Sequence, residues 1–112
     1  MIDFSIRIIK IVNDIPNTPA GSYLAGQLVR SGISVSLNYG EAQSAESRKD
    51  FIHKAKVILK ELRESFINLK IIHRSGLYKN EDEIMEALNE ANELISIFVK
   101  SIKTANQNLL KK

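Results

Sequence analysis

Asp50-Phe51-Ile52-His53 places a carboxylate three residues ahead of an imidazole, the spacing with which helical bundles hold metal ions, because residues i and i+3 share a helix face. Di-metal bundles need that motif twice, with carboxylates from two further helices. The other histidine, His73, lies about 160° from His53 around the same helix at roughly 100° per residue. One copy builds no metal centre, so His53 reads as a hydrogen-bonding or surface histidine. Glu41 has the chemistry of a general base, but no activated nucleophile, glycine-rich phosphate loop or paired carboxylates accompany it. There is no cysteine, which removes disulfides, thiolate metal sites and thiol redox chemistry and fits a reducing cytoplasm. The sequence predicts no catalytic residue, no metal and no cofactor; an enzyme using Glu41 or His53 is its second alternative.

What the residue types do offer is electrostatic. Lys49, Lys56, Lys60, Arg63, Lys70 and Arg74 recur at three-, four- and seven-residue steps, which puts them in one stripe along one helix. Such a stripe binds phosphates by releasing counterions, with a steep salt dependence. No aromatic side chain interleaves with these cations, so contact there is expected to read backbone or shape rather than stacked bases. The competing expectation is a solvated face offset by Glu83, Glu86, Glu90 and Glu93 of the next helix, each exposed pair contributing about 0–1 kcal/mol. A net charge of +3 and a pI of about 9.2 permit nucleic-acid binding without demanding it. Lys100, Lys103, Lys111 and Lys112 need no ligand either, since cations near a helix C-terminus complement its dipole.

A second polar set lies in "GQLVRSGISVSLNYGEA". Gln27, Ser31, Ser34, Asn38 and Glu41 share a narrow stripe with Arg30 at its margin, bordered by Leu24, Leu28 and Val35 on one side and Ile33 and Leu37 on the other. A polar stripe inside an apolar face is expected to be buried or half-buried, and buried polar groups need partners, because an unsatisfied one costs roughly 1–3 kcal/mol. If this helix and the next form a hairpin turning near Ala45, Arg30 meets Glu61 or Glu64, and Asn38 comes near His53. The expected network is Gln27, Arg30, Ser34, Asn38 and Glu41 with Glu61 and Glu64. The opposite face carries Ser22, Ala25, Gly32, Ser36 and Gly40. Glycine inside a helix costs about 1 kcal/mol against alanine, so something is expected to approach this backbone closely; the face would meet water in a monomer and a neighbouring subunit in an oligomer, and the subunit is the favoured expectation.

The elements that must position these residues are helices. At 112 residues, 44% hydrophobic and 26% charged, the chain makes one domain, 1–112, with a real core. Phe4, Ile8, Ile11 and Ile15 predict a first helix over about 3–14, and Pro16 and Pro19 punctuate the loop behind it. Thr18 ahead of Pro19 opens a second helix, 19–43, and Ser47 with Asp50 resembles a capping box opening a third, 47–75, which Gly76 ends. Asn80 with Glu83 opens a fourth, 81–109, whose seam Ile84, Leu88, Ala91, Ile95, Phe98, Ile102, Ala105 and Leu109 is unbroken. No strand alternation is visible, so the fold class is all-α, an antiparallel up-down-up-down four-helix bundle. The isoleucine-rich start has acids and bases interleaved, unlike a signal peptide, and no apolar run reaches the roughly 18 residues that span a bilayer; a cytoplasmic location is expected.

The stretch from Gly26 to about Ser65 resembles the four-helix-bundle proteins encoded in intervening sequences of bacterial 23S rRNA genes. The resemblance rests on Gln27, Arg30-Ser31-Gly32 with Ser34, Asn38-Tyr39, Glu41-Ala42, Ala45-Glu46-Ser47, Asp50 to Lys54, and Lys60-Glu61 with Glu64. It implies a homopentamer of four-helix bundles, and a similar fold serves diversity-generating retroelements as a basic accessory protein that engages reverse transcriptase and RNA. It implies no active site. Two departures stand out: the first helix is shorter than usual, and Gly40 replaces a larger, often basic residue. The combined expectation is a non-enzymatic homo-oligomeric interaction protein whose third helix presents its basic face to RNA or to an RNA-associated protein. The first alternative is a protein-only structural scaffold, and neither a membrane nor a small-molecule substrate is expected as a partner.

Overall fold

A computed structural model describes residues 1–110; Lys111 and Lys112, expected above to sit at a helix C-terminus, lie outside the described residues. Four helices follow one another, α1 (Ile2–Asn13), α2 (Pro19–Gln43), α3 (Arg48–Arg74) and α4 (Glu81–Leu110). Their ends are set by the local chemistry that the sequence announces. Thr18 Oγ1 accepts from the Gly21 amide at 3.0 Å, Ser47 Oγ from Asp50 at 3.0 Å, and Asn80 Oδ1 from Glu83 at 3.2 Å, each satisfying an orphan amide of a first turn. Gly76 adopts φ +74°, and the amides of Gly76 and Leu77 return to the carbonyls of His73 and Ile72, the two bonds of a Schellman motif.

α1 contacts α2, α2 contacts α3, α3 contacts α4, and α4 closes the ring onto α1. Along α2 and α3 the partners run in opposite senses: Arg30 faces Glu64 and Glu41 faces Lys54. Ser5 meets Ser36 across α1 and α2, and His73 meets Glu81 across α3 and α4. These pairings accord with an up-down-up-down course. The core runs through the middle of the ring, with Phe4, Ile8 and Ile11 of α1, Leu28 and Val35 of α2, Ile58, Leu62, Leu69 and Ile72 of α3, and Ile84 and Ala91 of α4.

The length of α1 shapes the rest. Its 12 residues span about 18 Å against about 45 Å for the 30 residues of α4, in a molecule 52 Å long. Beyond its reach the α4 seam loses cover, so Ile95, Ile102, Ala105 and Leu109 are only half-buried although their spacing continues that of Ile84 and Leu88. Beside the start of α1, side chains of α2 and α4 meet across the bundle, Tyr39 and Phe98 edge to face at 6.2 Å between ring centroids.

The small-residue face of α2 finds its neighbour inside the chain, which corrects the expectation of a second subunit at Gly32. A Cβ at Gly32 would stand 2.9 Å from Ile8 Cγ2, and Ser5 Oγ donates to the Gly32 carbonyl at 2.6 Å while sharing a 2.6 Å bond with Ser36 Oγ. A side chain at Gly32 would hold α1 away; Gly26 and Gly40 have open space around them.

Candidate nucleic-acid interface

The basic residues of α3 form one exposed face. Lys49, Lys56, Lys60, Arg63 and Arg74 are exposed and Lys70 is half-buried, its ammonium 4.8 Å from the centre of the Phe66 ring. From Lys49 to Arg74 the stripe covers about 38 Å at 1.5 Å per residue. Among the described residues none of the six forms an ion pair; the pairs present belong to Arg7, Arg30, Lys54 and His73.

The face is solvated, as the competing expectation has it, but among the described residues α4 offers it no direct ion pair. Glu86 and Glu90 hold Arg7 of α1 at 2.9 and 3.0 Å, and Glu83 accepts from Tyr78 Oη at 2.7 Å. The acidic stripe thus faces α1 and the α3–α4 turn. That leaves the six cations of α3 without an ion pair among the described residues.

The polar stripe of α2 divides into two layers, because the side of it lined by Ile33 and Leu37 is exposed and the core lies instead on the Leu28–Val35 side. Ser31 is the fully buried member: its hydroxyl donates to the Leu28 carbonyl at 3.2 Å and shares a 2.7 Å bond with Ser65 of α3. Gln27, Ser34 and Asn38 are half-buried, within the expected range, whereas Arg30 and Glu41 are exposed, which corrects their place in a buried network. Asn38 donates to Ser34 Oγ and to the Ser34 carbonyl, both at 2.9 Å, and so bonds within its own helix rather than to His53, which is exposed. Glu41 is exposed, 3.7 Å from Lys54 Nζ. Asp50 is engaged at the start of α3, where it accepts weakly from the Glu46 amide at 3.4 Å, and no metal-holding cluster of His, Cys, Asp or Glu is present among the described residues.

Arg30 bridges the helices at this level. Its guanidinium stands 3.7 Å from Glu61, 3.3 Å from Glu64 and 3.2 Å from Gln27 Oε1, while its side chain remains 57% exposed. Glu61 is buried, with Oε2 lacking a hydrogen bond. Burial pushes its carboxyl pKa up and the charge of Glu64 adds to this, while Arg30 and Lys60 pull the other way.

Beside this bridge lies a cleft of about 820 Å³ that brings the two residue sets together. Lys56, Lys60, Arg63, Glu64 and Asn68 line it from α3, Gln27 and Arg30 from α2, and Leu59, Ile67 and Ile102 supply apolar surface. Tyr23 of α2 lines it too, with 68% of its surface exposed. The sequence reading missed this aromatic because spacing along α3 says nothing of a side chain brought in by α2.

Fold and surface define a four-helix bundle with, among the described residues, a basic face free of ion pairs and no helix long and apolar enough to cross a membrane. The chain belongs to the 23S rRNA-intervening sequence protein family, whose model matches residues 1–100. It is also similar to a crystal structure from the S23 ribosomal protein family of Bacteroides thetaiotaomicron, a protein of unknown function. The two are 28% identical over 91% of this chain and 94% of that one, with a TM-score of 0.82. No match was found among curated proteins.

Proposed function

We propose that the chain is a non-enzymatic, homo-oligomeric interaction protein that binds RNA through the basic face of α3. The observation that carries the reading is the stripe from Lys49 to Arg74, six cations on one surface without an ion pair among the described residues. Cations kept unpaired along about 38 Å suit a polyanion, whose bound counterions they displace. Against catalysis by Glu41 or His53 stands their setting, since Glu41 is spent on Lys54 in solvent and His53 is exposed.

Self-association is supported by a different surface. Ile2 (68% exposed) and Ile6 on α1, with Ile33 and Leu37 (66%) on α2, leave large apolar side chains in solvent on the outer sides of the first two helices. Exposed apolar patches of this kind mark association sites. Five copies is the stoichiometry that the family resemblance implies. Because this surface belongs to α1 and α2 and the basic stripe to α3, assembly leaves the stripe available.

The test is binding of a fluorescent structured RNA across a salt series, with the mass of free protein and complex followed by size-exclusion chromatography and light scattering. Binding should fall steeply with salt. Replacing Lys56, Lys60 and Arg63 by Gln should reduce the slope of log K against log[salt] by about 2 to 3, each phosphate contact contributing roughly 0.7 to 0.9. An intact oligomer that binds no RNA at low salt would leave the protein-only scaffold as the reading.

A further inference from the structure

We infer that the α2–α3 cleft receives unpaired nucleotides, with Tyr23 as a stacking platform and Lys56, Lys60 and Arg63 on the phosphates. This rests on the reading of α3 as an RNA-binding face and specifies which form of RNA it takes.

Three observations converge on one place. The cleft is lined by three of the unpaired cations, so a backbone laid along α3 passes its mouth. Its volume of about 820 Å³ lies within the roughly 300–1,000 Å³ of clefts that hold small ligands. Its lining includes apolar surface among the charges, with Leu59 and Ile67 contributing and Ile67 54% exposed in the middle of the stripe, while the one carboxylate that lines it, Glu64, is held by Arg30 at 3.3 Å.

An A-form duplex has no use for such a lining. It shows proteins its phosphates, its 2′-hydroxyls and a shallow minor groove, while its base faces are stacked on one another. An unpaired nucleotide offers an apolar π-face beside a charged phosphate, which is the combination that an exposed tyrosine next to lysines and an arginine accommodates. Among the described residues Tyr23 takes part in no side-chain hydrogen bond, and most of its surface is in solvent, so its type is not dictated by packing. Stacking on it would be indifferent to base identity, and the groove would recognise strandedness more than sequence.

The experiment compares two fluorescein-labelled probes on the full chain by anisotropy at low salt: a 12-nucleotide oligouridylate, which is unstructured, and a 12-base-pair RNA duplex. Tyr23→Leu should weaken oligouridylate binding about 5-fold or more, the lower end of the stacking contribution of one base. It should leave the salt slope and any duplex binding as they were, and Tyr23→Phe should restore the affinity. Replacing Lys56, Lys60 and Arg63 by Gln should weaken both probes and flatten the slope. If Tyr23→Leu binds oligouridylate like the unmodified chain, or if the duplex binds at least as tightly as the oligouridylate, the stacking inference is overturned while RNA binding by α3 stands. If neither probe binds at any salt, the inference falls together with the reading beneath it. Circular dichroism confirms that each variant retains its helices.

Discussion

Gly32→Ala tests the seam between α1 and α2 most directly, because one methyl group is asked to enter it. In open space the change favours the helix by about 0.5–1 kcal/mol, since alanine has less backbone freedom to lose than glycine. Gly26 provides that reference, with nothing within 4 Å of its virtual Cβ. At Gly32 the new carbon would lie 2.9, 3.0 and 3.1 Å from Cγ2, Cγ1 and Cβ of Ile8, closer than carbon atoms pack. Ile8 is β-branched, stiff at χ1 and wholly buried, and its Cβ is fixed to the backbone, so relief requires α1 to move. That movement also stretches the bond from Ser5 Oγ to the Gly32 carbonyl, now 2.6 Å. Overpacking of this kind costs about 1–3 kcal/mol, which outweighs the propensity gain. Gly32→Ala should therefore be about 1–3 kcal/mol less stable than Gly26→Ala. The assay is urea denaturation of both variants at one protein concentration, held fixed because association shifts apparent stability. In an Ile8→Ala background, where two of the three clashing atoms are gone, the Gly32→Ala cost should shrink; the coupling in that double-mutant cycle measures the contact. A Gly32→Ala protein as stable as Gly26→Ala would refute the packing of α1 on this face.

Two further substitutions probe titratable groups. Burial and the bond to Glu83 push Tyr78 up to about 12 from its ordinary 10, so its contribution to stability is complete below pH 10 and lost as the pH climbs towards 12. Tyr78→Phe should cost about 1 kcal/mol at neutral pH and lose less stability than the unmodified chain between those limits; parallel alkaline unfolding curves would contradict it. The raised pKa of Glu61 means that its ionised form is disfavoured in the folded chain, so the stability it supplies is full below its unfolded value of 4.5 and declines as the pH rises through the higher folded value. Glu61→Gln should accordingly melt above the unmodified chain at pH 7 and level with it near pH 4. A lower melting temperature at pH 7 would mean that attraction to Arg30 outweighs the cost of burial.

The helices were legible because their signals act within four residues. Thr18, Ser47, Asn80 and Gly76 each bond to backbone three to five positions away, so the residue type and its position already contain the partner. The pairing of Arg30 with Glu61 and Glu64 was reachable for a similar reason: a hairpin of two long helices fixes which residues stand opposite once the turn is located. What spacing does not encode is the direction in which a neighbouring helix lies. Glu86 and Glu90 share a face whichever helix comes to meet them, and it was Arg7 of α1, not α3, that did.

The burial of an apolar seam likewise depends on a length stated elsewhere in the chain. Ile84 and Ile102 occupy equivalent positions in the α4 pattern, yet Ile84 is wholly buried and Ile102 half-buried, because α1 covers only the first part of α4. The same asymmetry governs the basic stripe. Its continuity could be read from α3 alone, but its freedom from ion pairs is decided by where the carboxylates of α4 turn, and its access to an aromatic ring by where α2 places Tyr23. A charged stripe becomes a candidate binding surface only when the neighbouring helices take their own charges elsewhere. Here α1 draws two of those carboxylates to itself through Arg7, so a short helix on the far side of the ring helps to leave the α3 surface positive.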